Sequence, residues 1–115
     1  MLLNLTNHPS EGWPENQRNE AVKRYQSILD WPFPSIPPAL SSEELDNWVS
    51  DYQHKIIAIQ PTAVHVMGEM TFCFRLIEKL KSAGIACIAS TTERVTVQKE
   101  NVKTAYFEFV QFRAY

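Results

Sequence analysis

Ala63-Val64-His65-Val66-Met67-Gly68-Glu69-Met70-Thr71-Phe72-Cys73 decides the fold. The first five residues are almost wholly apolar and end at a glycine. Such a run reads as a strand buried on both faces, the kind found in parallel sheets. Beyond Gly68, Phe72, Cys73, Leu76, Ile77 and Leu80 recur at three- and four-residue spacing. That period predicts a helix from about 69 to 83, with Lys79 and Lys81 suited to its C-terminal dipole and Gly84 as its stop. Ile85-Ala86-Cys87-Ile88-Ala89 then reads as a second buried strand. Strand, helix and strand in this order form a parallel crossover unit.

The same alternation extends toward the N-terminus. Leu2 to Thr6 reads as a strand ended by Asn7-His8-Pro9-Ser10. Pro14 suits a helix first turn. Ala21, Val22, Tyr25 and Ile28 then share one face of a helix reaching about Leu29. Trp31-Pro32-Phe33-Pro34 is an edge strand or an extended loop, because its prolines cannot serve a central ladder. Ser41-Ser42-Glu43-Glu44 is a capping box. The helix behind it carries Leu45, Trp48, Val49, Tyr52 and Ile56 and stops before Pro61. Toward the C-terminus, Val95 and Val97 alternate with polar residues, Lys99 to Asn101 reads as a turn, and Ala105 to Phe112 alternates again. This is a β-hairpin with one wet face. The expected architecture is α/β: one three-layer Rossmann-like domain over 1–115, with a parallel central sheet in 2-1-3-4 order and a C-terminal antiparallel β-hairpin.

Composition narrows function. The 115 residues make one domain, 44% of them apolar, with a net charge of −2. That charge provides no global attraction to long nucleic acid or anionic lipid. No apolar run approaches the roughly 18 residues of a membrane span, and the start lacks signal-peptide character. The cytoplasm is the expected compartment. Cys73 and Cys87 sit in apolar segments and read as reduced core thiols. The three histidines are scattered, so neither a metal site nor a cofactor is expected.

Three polar clusters fall at strand ends: Asn7-His8, Gly68-Glu69-Met70-Thr71, and Ser90-Thr91-Thr92-Glu93-Arg94. Open α/β sheets bind ligands in the crevice outside those ends. His8 is the candidate for acid–base chemistry, since histidine ordinarily titrates near neutral pH; its plain alternative is a loop residue. Gly68 and the helix start after it offer backbone N–H groups to an anion. Glu69 either accepts from a sugar hydroxyl, acts as a base, or merely satisfies those donors. Thr71 is a pocket hydroxyl or a first-turn residue. Ser90, Thr91 and Thr92 suit an oxygen-rich ligand, and Arg94 suits phosphate; otherwise they form a polar turn. His65 reads as a satisfied core histidine, His54 as a surface one. Trp31 and Phe33 cover the sheet edge, or stack on a base.

The stretches Val64 to Phe72, Ala89 to Arg94 and Phe107 to Arg113, with the opening Leu3 to Pro9, resemble a family of small CRISPR-associated bacterial proteins. The wider group is similar to CARF domains, Rossmann-like sensors of cyclic oligoadenylate. Some small members are ring nucleases, which cleave that messenger without metal through attack of a ribose 2′-hydroxyl on its neighbouring phosphate. The resemblance implies a cyclic oligoadenylate or other nucleotide as ligand; because Arg94 is the only basic residue near the proposed site, a homodimer is expected, which would double it and match a two-fold ring. His8, Glu69 and Arg94 are then the residues for proton transfer and charge stabilisation. Two other readings compete: a non-catalytic nucleotide-binding module, and an interaction protein that docks through the hairpin edge and Trp31 to Pro38.

Overall fold

The computed structural model describes residues 1–115. Its elements run β1 (Leu2–Thr6), a 3-10 turn (Ser10–Gly12), α1 (Glu15–Tyr25), β2 (Ile28–Pro32), α2 (Ser42–Ile59), β3 (Ala63–Val66), α3 (Met70–Ser82), β4 (Ala86–Lys99) and β5 (Val102–Ala114). One five-stranded sheet has the order β2-β1-β3-β4-β5, the first four strands parallel and β5 antiparallel to β4. The chain is therefore α/β with a C-terminal hairpin, and its proline-bearing β2 lies at the edge.

Strand alternation sorts the core into two layers. Leu3, Leu5, Val64, Val66 and Cys87 face α2 and α3, where Phe72, Leu76 and Val49 are fully enclosed. Leu2, Ala63 and Ile88 face the opposite way, against Trp13, Ala21 and Tyr25 from the α1 side. The capping box at the start of α2 is formed: Glu44 N–H donates to Ser41 Oγ, and Ser41 N–H donates to Glu44 Oε1. Cys73 and Cys87 are buried, unpaired thiols, both pushed up to about 11 by desolvation.

Two expectations need correction. The first helix ends at Tyr25, and Ile28 and Leu29 belong to β2. Gln26 takes a positive φ of 72° after Tyr25, which turns the chain into that strand. The second correction is larger. Ser90 to Arg94 is not a turn between a strand and a hairpin but the middle of the continuous 14-residue β4. β5 supplies the ladder that a strand end would lack, pairing Ser90 with Phe112 and Arg94 with Phe107.

β3 ends at Val66, so β4 loses its partner on that side after Ile88. From about Thr92 to Phe109 the last two strands leave the sheet as a free ribbon, about 26 Å long for eight residue pairs. Glu100 and Asn101 both have positive φ, 51° and 68°, the two-residue hairpin turn that matches strand twist. The ribbon stretches the molecule to 53 × 37 × 21 Å, and the 16.1 Å radius of gyration exceeds the about 13 Å of a compact chain this long. A bulge at the ribbon's root leaves Val110 without a partner, since Thr91 pairs with Gln111 and Thr92 with Phe109. The extra residue turns both Phe109 and Phe112 into the α1-side core, their rings 4.9 Å apart.

Candidate functional site

A row of polar side chains crosses the buried sheet. Asn4 stands level with Asp30 on one neighbouring strand and His65 on the other. Asn4 Nδ2 donates to Asp30 Oδ1 at 2.7 Å and to the His8 carbonyl at 2.9 Å. That leaves its amide oxygen facing His65 Nδ1 at 2.9 Å. An oxygen there requires Nδ1 to carry the proton, so Nε2 is the bare nitrogen. Asp30 in turn accepts from Ser10 N–H at 2.9 Å and Ser10 Oγ at 2.6 Å. Partial burial pushes the Asp30 carboxyl up, but the donors from Ser10 and Asn4 outweigh it and hold the value below the usual range.

The row also fixes the loop after β1. The His8 carbonyl accepts from Asn4 and from Trp13 Nε1 at 2.8 Å, while His8 N–H donates to Thr6 Oγ1 at 3.1 Å. The backbone is thus clamped from below while the imidazole is exposed. Trp13 closes over His65 edge to face, 5.2 Å between centroids, and Phe112 does the same at 5.6 Å.

Between these groups lies a cavity of about 390 Å³ at the carboxyl ends of β1 and β3. Asn7 and His8 line one wall, Gly68 another, and Ser90 and Thr92 a third, with Trp13, Gln17 and His65 below. Three segments distant in sequence therefore converge on one cleft. β1 and β3 are the strands between which the sheet order reverses, the switch point where open α/β sheets open a crevice. His65 is 2% exposed, and its Nε2 has no hydrogen-bond partner. Desolvation, aided by His8, lowers it to about 4, so the ring is a neutral acceptor at ordinary pH. The expectation of a satisfied core histidine thus fails at one nitrogen.

The other singled-out residues do not meet here. Glu69 is the N-cap of α3 and accepts from Phe72 N–H at 2.8 Å, Thr71 N–H at 3.1 Å and Thr71 Oγ1 at 2.7 Å. Those donors, the Phe72 amide first, hold its carboxyl below the usual range. Two of the amides expected to be free at this helix start, those of Thr71 and Phe72, are therefore already taken, and neither Glu69 nor Thr71 lines the cavity. Thr91 points its hydroxyl to the Gln111 carbonyl at 3.1 Å. Arg94 lies exposed on the ribbon beyond the cavity, level with Phe107. Gly68 answers to sterics as well as to the cleft, because a Cβ there would stand 2.3–2.7 Å from the Phe33 ring. Phe33 packs edge to face on Phe72.

Sequence reasoning passed over Asn4, Asp30, Trp13 and Gln17. One signal was present: an amide inside Leu2-Leu3-Asn4-Leu5 is out of place in a buried strand unless it has partners. No lysine or arginine lines the cavity, and no three His, Cys, Asp or Glu side chains converge where a metal ion would sit. The site can exchange hydrogen bonds at Ser90, Thr92, Asn7 and Gln17 and present the His8 imidazole at its edge, while His65 Nε2 is enclosed beneath it.

Sheet order and crevice define a Rossmann-like α/β protein with a neutral, polar cleft at its switch point. The chain belongs to the uncharacterized protein MJ1673 family, whose model matches residues 1–113. No curated protein and no solved structure matches it. No helix is long and apolar enough to cross a membrane.

Proposed function

We propose that the protein binds a nucleotide of the cyclic oligoadenylate class in this cleft, as part of a CRISPR-linked defence, and opens it to linear products without metal. The observation that carries the reading is the 390 Å³ cleft at the switch point, where Asn7, His8, Ser90 and Thr92 converge beside Gly68. That volume is at the small end for ligand pockets and fits one nucleoside unit of a ring. With no cation in the lining, phosphates would lie at the rim, beside His8 and the hydroxyls of Ser90 and Thr92. There the chain's tasks are alignment of the 2′-hydroxyl with its neighbouring phosphate and, at His8, removal of its proton. A two-fold homodimer would offer the cleft twice to a ring of the same symmetry.

Incubation with cyclic tetra- and hexa-adenylate, followed by chromatography and thermal melting, tests this. Linear products ending in 2′,3′-cyclic phosphate support the enzyme. Intact ring with a raised melting temperature supports a binding module. Neither effect rejects both. His8→Ala should slow turnover by roughly 10²–10⁴-fold. Arg94→Ala should weaken binding by about 1.5–3 kcal/mol if phosphates run out along the ribbon; unchanged affinity removes Arg94 from the site.

A further inference from the structure

We infer that the free edge of β4 pairs with the same edge of a second copy, antiparallel and centred on Thr96, to make a four-stranded sheet. From Glu93 to Lys99 β4 has β5 on one side and no strand on the other. An edge of this kind presents unpaired N–H and C=O groups to any partner strand, and an isolated two-stranded ribbon is marginal in water. The ribbon also keeps apolar side chains in solvent: Val97, Val102, Tyr106 and Phe107 are 44–67% exposed.

Geometry leaves few registers for a second copy. Along one edge, outward backbone groups occur at every second residue, so a two-fold antiparallel pair must match odd with odd and even with even. Centring on Arg94 opposes two arginines. Centring on Val95 sets Glu93 against Val97, and centring on Val97 sets Lys99 against Val95. Centring on Thr96 sets Glu93 against Lys99 twice, Val95 against Val97 twice, and Arg94 against Gln98 twice. This register is complementary in charge and in apolar character.

The ribbon itself holds the matching defect. Glu93 stands directly opposite Glu108, a like-charge pair that costs stability. Neither carboxylate has an ion-pair partner within the chain, whose one salt bridge is Arg75–Asp46. In the Thr96-centred pair, the partner's Lys99 comes level with Glu93 on that same face and supplies the missing cation. The interface specifies the homodimer of the previous section but rests on the ribbon alone, not on what fills the cleft.

Sedimentation at micromolar protein tests it. The expected result is a dimer. Glu93→Lys and Lys99→Glu should each weaken it roughly tenfold or more. Mixing those two variants should restore a heterodimer, because every 93–99 contact then joins opposite charges. Thr96→Cys should cross-link under mild oxidation, the native thiols being buried. A monomeric wild type, or a dimer indifferent to both reversals, would overturn the interface. So would ribbon pairing that forms only with another protein. A monomer would also remove the two-fold presentation of the cleft, whereas nucleotide binding and turnover at a single cleft are read separately, by incubation with the cyclic oligoadenylates.

Discussion

Cys87 and Ile88 are buried in β4, flanked by β3 and β5; Glu93 to Lys99, in the same strand, have β5 alone and open solvent. Residue type does not explain the contrast, since Val95 and Val97 are as apolar and as β-prone as Ile88. The cause is the length of the neighbours. β3 is four residues long and β4 fourteen. Where both neighbours run alongside, the helices have a surface to cover, and the core and the cleft form there. Where one neighbour stops, the strand becomes a ribbon whose backbone edge and apolar side chains await a partner.

The sheet body should carry the stability and the ribbon almost none. Phe72→Ala, at a fully enclosed position, should cost about 3–5 kcal/mol in urea unfolding. A loss near zero would mean that the two regions do not differ in the way proposed. Next in size is the pH response of His65. Its folded value, about 4, lies below the ordinary 6.5, so between those values the unfolded chain binds more protons. Stability is complete above about pH 6.5 and falls as the pH drops toward 4, by an amount on the order of 3 kcal/mol. His65→Gln should flatten that slope; an unchanged slope would assign it to other groups.

Asn4→Ala should cost about 1–3 kcal/mol, because it strips a partner from His65 Nδ1 and from the Asp30 carboxylate. It should also loosen His8, whose carbonyl Asn4 holds, and so disturb any ligand in the cleft more than the melting curve indicates. Smallest is Phe107→Ser on the ribbon, 67% exposed, which should change the unfolding of the isolated chain by less than about 0.5 kcal/mol. A larger effect would show that the ribbon packs on something.

Local pattern made much of the architecture legible. The apolar runs at 2–6 and 63–67, the capping box at Ser41, the glycine at 84 and the prolines near 32 and 34 each act within a few residues. Their physics is that of single strands, helix ends and edges. The clefted end of the sheet followed from the order of those elements, and with it the meeting of Asn7, His8, Gly68, Ser90 and Thr92. The same reading left the role of Glu69 open, because an N-cap carboxylate and a ligand-binding carboxylate look alike until the amides it holds are located. It missed at Ser90 to Arg94 because a run of hydroxyls marks a turn or a paired strand equally well.

By itself, then, the chain's periodicity determined that strands alternate with helices and end in a hairpin, since burial of each element's apolar face depends on its own repeat. Tertiary structure alone decided the rest. Asp30, Asn4 and His65 are level with one another only because parallel register aligns three strands. Phe109 and Phe112 share a core only because one bulged residue, Val110, shifts the alternation. The ribbon is free only because β3 stops at Val66, a boundary relative to β4 that exists only once the strands pair.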